Sequence, residues 1–129
     1  MDRQSISTSA APAAIGPYSQ AIGVGRLVLC SGQIGLDPST GEVVAGGVAE
    51  QADRALRNLA AVLDAAGLGF ADVVKTTVFL VDMADFAVLN EVYGRFVTDP
   101  PPARSTIAVA ALPRGARVEI EAMAARGEA

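Results

Sequence analysis

The sequence predicts an α/β sandwich: one mixed β-sheet with two helices packed on one face. Three observations carry that reading. Val48 to Ala66 places apolar residues at helical spacing. Val73 to Val81 is a β-branched, apolar run of the kind found in central strands. Arg104 to Val109 and Arg117 to Ala124 each alternate with the two-residue period of a strand.

The segments follow in order. Met1 to Ala14 mixes Ser, Thr, Ala and Pro and lacks the apolar stretch of a secretory leader, so it reads as an irregular lead to one domain spanning residues 1–129 of a cytoplasmic protein. Leu27 to Ser31 is a short apolar strand closed by Gly32. Asp37-Pro38-Ser39-Thr40-Gly41 is a turn, and Val43-Val44 suggests a strand returning from it. In the first helix Val48, Ala52, Ala55, Leu56, Leu59, Val62, Leu63 and Ala66 form the stripe, and Gly67 stops it. Phe86 to Val97 reads as a second helix, with Asp85 as its cap and Pro100-Pro101-Pro102 beyond its end. The short link from Leu112 to Ala116 suggests that the last two strands are antiparallel neighbours. The second face of the sheet then needs a cover, and further copies of the chain are the obvious one.

Composition narrows the function. The chain has 129 residues, 51% hydrophobic and 19% charged, with a net charge of −4. Its sequence pI is about 4.6 and its mean hydropathy is +0.38. Disorder is excluded, and the apolar balance leans towards an oligomer. No basic cluster is present, which disfavours nucleic acid as a partner. There is no His, so Ser–His and Cys–His dyads and His-based metal sites are excluded. Cys30 is the single cysteine, which rules out an internal disulfide, and it reads as a small core residue.

Few side chains stand out as chemistry. Arg104 follows the proline run at the start of a strand, where its guanidinium could hold a carboxylate through two parallel hydrogen bonds. Its ordinary role would be an ion pair. Glu119 and Glu121 share one side of their strand and could accept a proton, hold a water or neutralise Arg104, although a solvated strand face is the default. Ser31-Gly32 offers close backbone approach and an amide for an anion, or a simple turn. Asn90 could reach a ligand from the helix edge, and Tyr18 could wall a pocket or pack a core.

Five ordered motifs add to this. They are Ile15-Gly16-Pro17-Tyr18-Ser19-Gln20-Ala21, Cys30-Ser31-Gly32-Gln33-Ile34, Val74-Lys75-Thr76-Thr77-Val78-Phe79, Pro102-Ala103-Arg104-Ser105 and Val118-Glu119-Ile120-Glu121-Ala122. The set, running from about Ala11 to Ala124, resembles the RidA (YjgF/YER057c/UK114) family of reactive-intermediate deaminases. The resemblance implies a chorismate-mutase-like fold and a homotrimer with clefts between subunits. It implies hydrolysis of 2-imino acids such as 2-iminobutanoate and 2-iminopropanoate, released by pyridoxal-phosphate enzymes, to 2-oxo acids and ammonia. That activity limits damage by 2-aminoacrylate.

The family's carboxylate-binding arginine falls on Arg104 and its water-associated glutamate on Glu119. Its pocket-lining residues fall on Tyr18, Ser31, Gly32 and Asn90. One departure stands out: many members carry Cys where this chain has Thr106, also a substrate-side position. The chemistry needs no metal or organic cofactor, since imines already react with water. Two other readings share the fold: a non-catalytic module for small acids or protein partners, and a ribonuclease or translation inhibitor. The acidic charge and missing His weigh against the latter.

Overall fold

The computed structural model describes residues 2–127. Eight principal elements occur: β1 (Arg3–Ile6), β2 (Ala21–Val24), β3 (Leu27–Gln33), α1 (Val48–Ala65), β4 (Val73–Leu80), α2 (Phe86–Tyr93), β5 (Ala103–Ala108) and β6 (Val118–Ala125). The strands form one mixed sheet in the order β1-β2-β3-β6-β4-β5. Both helices pack on one face of it, so the predicted sandwich is correct in outline.

α1 begins at the expected residue and ends at Ala65, with Gly67 just beyond at φ +76°. That left-handed position suits Gly, because a Cβ there would crowd the following carbonyl. Its stripe buries Leu56, Leu59, Val62 and Leu63 against Val28 of β3, Val78 of β4 and Ile120 of β6. Asn58 is fully buried within that stripe. Its Nδ2 donates to the carbonyls of Ile34 (3.2 Å) and Leu36 (2.9 Å), while Oδ1 accepts from Arg54 Nε (3.0 Å). Asn58→Ala therefore takes the donor from the Leu36 carbonyl and one of two from the Ile34 carbonyl, which keeps the Leu36 amide at 2.8 Å, and we expect a loss of about 1–3 kcal/mol in denaturant unfolding. A loss within experimental error would show that the loop finds other donors.

Several expectations need correction. The lead segment is not wholly irregular, because Arg3–Ile6 pairs antiparallel with β2. It is short, polar and at the sheet edge, so it carries no apolar alternation to read. β2 was also unpredicted; it joins β3 through the two-residue turn Gly25-Arg26, with Gly25 at φ +56°. Val43 makes only an isolated bridge to Leu36, not a strand. α2 stops at Tyr93, before Gly94, and Phe96 turns back to pack edge-on against Phe70 at 5.8 Å. Asp85 makes no capping bond; it grips Arg117 Nη2 with both oxygens at 2.9 Å.

The last two strands are not neighbours. β5 lies parallel to β4 at the edge, and β6 is antiparallel to β4 on its other side. A strand–helix–strand crossover through α2 makes the first pairing parallel. The turn Pro113–Gly115 lies on the connection that carries the chain past β4 to β6. Alternation shows that a segment is a strand but not which strand lies beside it.

In the single chain β4 is covered on one face only. Val73, Thr76, Val78 and Leu80 are buried beneath the helices, whereas Lys75, Thr77 and Phe79 face outward and stay half-buried. Leu29 (38%), Met123 (38%) and Ile107 (45%) are exposed on the same outer face, an unusual concentration of apolar side chains in water. Among the described residues no helix is long and apolar enough to cross a membrane.

Candidate active site

Register sorts the candidate side chains between the two sheet faces. Arg104 stands opposite Thr76 and Thr106 opposite Val78, and both partners are buried on the helix side. Glu119 stands opposite Phe79 and Glu121 opposite Thr77, on the outer side. Directly paired residues share a face. Arg104 and Glu119 of one chain therefore project from opposite faces of the sheet. Spacing along the sequence gave no sign of this.

On the helix side, α2 builds a seat for Arg104. The guanidinium carbon lies 4.8 Å from the Tyr93 ring centroid and 5.6 Å from that of Phe86, at cation–π distance. Its Nη2 donates to Asn90 Oδ1 at 2.7 Å. Tyr93 is fixed in turn by a 2.6 Å hydrogen bond between its hydroxyl and Thr76 Oγ1. Phe86, Asn90 and Tyr93 recur at helical spacing, which puts them on one flank of α2. Sequence reading placed Phe86 and Tyr93 in the second helix without a role at the site, so their place beneath the arginine was missed. Among the described residues no carboxylate pairs with Arg104. Its planar fork is held in place with donors to spare. Thr106, two residues along, keeps its Oγ1 buried with no hydrogen-bond partner.

On the outer side a cavity of about 370 Å³ opens between Tyr18, Gly32, Gln33, Leu36, Arg114 and Glu119. Glu119 lies across Gly32 so closely that a Cβ on that glycine would sit 2.7 Å from Glu119 Oε2. Only Gly lets this carboxylate take that position. Burial raises the Glu119 pKa above the ordinary carboxylate value, and the negative charge of Glu121 raises it further. Tyr18 is half-exposed, with its hydroxyl accepting from the Ile15 amide at 3.3 Å.

Ser31 does different work from that expected. Its amide donates to the Gln20 carbonyl (2.9 Å) and its hydroxyl to the Ser19 carbonyl (2.6 Å), so it braces the Tyr18 loop and offers no amide to an anion. Buried Gln20 holds the other end of that loop, donating to the carbonyls of Thr8 (3.1 Å) and Pro12 (2.7 Å). Cys30 is buried, and burial pushes its thiol up to about 11, which leaves it unreactive. The candidate residues thus fall into two clusters: Arg104, Asn90 and Thr106 on one face, and Tyr18, Gly32 and Glu119 on the other. Arg114 was missed as a cavity residue, since nothing in a Pro-Arg-Gly turn signals it.

The sequence profile of the Endoribonuclease L-PSP family matches residues 8–126. The chain belongs to that family. It is the family, also known as YjgF/RidA, that the five motifs resemble. The mouse (Mus musculus) 2-iminobutanoate/2-iminopropanoate deaminase is 58% identical over 125 residues, covering 97% of this chain and 93% of that protein. The crystal structure of a putative endoribonuclease from Thermotoga maritima superposes with a TM-score of 0.94 at 50% identity, covering 97% of this chain and 98% of the other. That of E. coli TdcF with bound serine does so with a TM-score of 0.91 at 46% identity, covering 96% and 99%.

Proposed function

We propose that this member of the L-PSP family is a 2-iminobutanoate/2-iminopropanoate deaminase, and that it works in the cytoplasm as a homotrimer with each site built between two subunits. Relatives above half identity over nearly the whole chain carry that activity in their names. The observation that carries the mechanism is Arg104, a guanidinium oriented by Asn90 and Tyr93 and paired with no carboxylate among the described residues. A 2-imino acid supplies that carboxylate. Serine, bound by the relative TdcF, has the same small 2-amino-acid frame.

The reaction adds water across C=N and releases ammonia, leaving a 2-oxo acid. Arg104 holds the substrate carboxylate through a bidentate pair and so fixes the imine carbon in space. Glu119, from the neighbouring copy, holds the attacking water and takes up its proton, and the nitrogen gains protons as it leaves. Holding both reactants in place lowers the barrier by several kcal/mol without a strong nucleophile. Opposite-face placement of the two groups supports a shared site, because a second copy seated on the exposed outer face can bring its own Arg104 edge towards Glu119. Tyr18 and Gly32 then wall the pocket on the Glu119 side, while Asn90 and Thr106 wall it on the other.

A competition assay tests the reading. A dehydratase generates the imine, semicarbazide traps it, and hydrolysis lowers the yield of semicarbazone. The wild-type protein is expected to suppress the trapped product. Binding of small acids with no such suppression would leave a non-catalytic module instead.

A pH profile tests the role given to Glu119. Its carboxylate must be ionised to hold and deprotonate water, so turnover rises with pH through its raised pKa. The Glu121 charge contributes to that rise, so Glu121→Gln lowers the Glu119 pKa and moves the acid limb to lower pH. A limb that stays still or moves upward would remove Glu119 from the rate-limiting proton transfer.

A further inference from the structure

We infer that Arg114 is a specificity-determining residue, which extends the site's range to 2-imino acids bearing a second carboxylate on the side chain. The inference rests on the deaminase reading and adds a substrate class to it. Arg114 lines the same outer cavity as Glu119 and Tyr18. It is also the one non-glycine residue with a positive φ among those described, at φ 60° and ψ 19°. An L-residue gives up stability to sit there, and Gly115 follows in the same region at φ +67°. Two successive left-handed residues turn the chain tightly at the rim of the cavity that Arg114 lines.

The guanidinium is tethered lightly. Nη1 donates to the Gly41 carbonyl at 3.0 Å, and no carboxylate among the described residues pairs with it. Nor does it neutralise Glu119, whose pKa stays raised by burial and by Glu121. The cavity is thus lined by an exposed arginine that forms no ion pair among the described residues and whose one hydrogen bond, to the Gly41 carbonyl, can be exchanged for a ligand carboxylate. Arg104 takes the substrate's 2-carboxylate, so Arg114 meets what lies at the far end of the side chain. An acidic group at that end gains a charge-assisted hydrogen bond, and a methyl or ethyl group gains nothing.

The test compares two imines made in the assay by amino-acid oxidases: 2-iminopropanoate from alanine and 2-iminosuccinate from aspartate. Arg114→Gln is expected to raise KM about tenfold for iminosuccinate and less than about twofold for iminopropanoate, with kcat little changed. Arg114→Lys should restore most of the difference. Arg114→Gly relaxes the left-handed backbone, so it should lose the same discrimination with no loss of thermal stability. A wild type that hydrolyses iminopropanoate but not iminosuccinate, or an Arg114→Gln variant that slows both imines equally, would overturn the inference. A wild type inactive on both would count against the deaminase reading itself.

Discussion

Arg104→Ala is expected to lower kcat/KM for 2-iminopropanoate by about 10²–10³-fold, because the bidentate pair proposed between Arg104 and the substrate carboxylate would be lost. The fold should survive, since Arg104 lies at an edge strand and its losses are one bond to Asn90 and the ring contacts. Arg104→Lys keeps the charge but not the planar fork or the stacking on Tyr93, so it should recover only part of the rate. Steady-state kinetics with circular dichroism on the same samples checks both halves. A folded Arg104→Ala variant with unchanged kcat/KM would remove the substrate carboxylate from this residue.

Glu119→Gln is expected to lower kcat by about 10²-fold or more with a smaller change in KM, since proton transfer to a positioned base contributes on that scale. Gln has the shape to lie across Gly32, so packing is kept while the proton acceptor is lost. Removing a half-buried carboxylate with a raised pKa also removes a desolvated charge, so thermal stability should hold or rise slightly. A variant that raises KM while sparing kcat would give Glu119 a binding role only.

Much of the helix layer was legible in the sequence, because periodicity at 3.6 residues and a stopping Gly67 determine α1 almost to the residue. Strand existence was legible in β4 and β6, which are long and have an apolar face, but not in the four-residue β2, whose buried face is only Ala21 and Gly23. Strand order was not: a two-residue period says nothing about neighbours, and the parallel placement of β5 depends on the crossover through α2. β1 escaped because a polar edge strand has no buried face to pattern.

The site was half legible. Motifs pointed to Arg104 and Glu119, but their separation onto two faces depends on the pairing of Thr76 with Arg104 and Phe79 with Glu119. Ser31 read as an anion-binding position because its amide's partner, the Gln20 carbonyl, lies 11 residues away in sequence.

The central claim, a site shared between copies, has a direct test in subunit complementation. Arg104→Ala and Glu119→Gln are each expected to be nearly inactive alone; mixed in equal amounts, unfolded together and refolded, they should recover about a quarter of the wild-type rate if they assemble as the proposed trimer, because a neighbouring pair then holds one intact Arg104 and one intact Glu119 by chance at about that frequency. Recovery near that level supports a site between subunits. Activity that stays at the level of the separate variants, in mixed trimers confirmed by native mass spectrometry, would place the whole site within one chain and contradict the account.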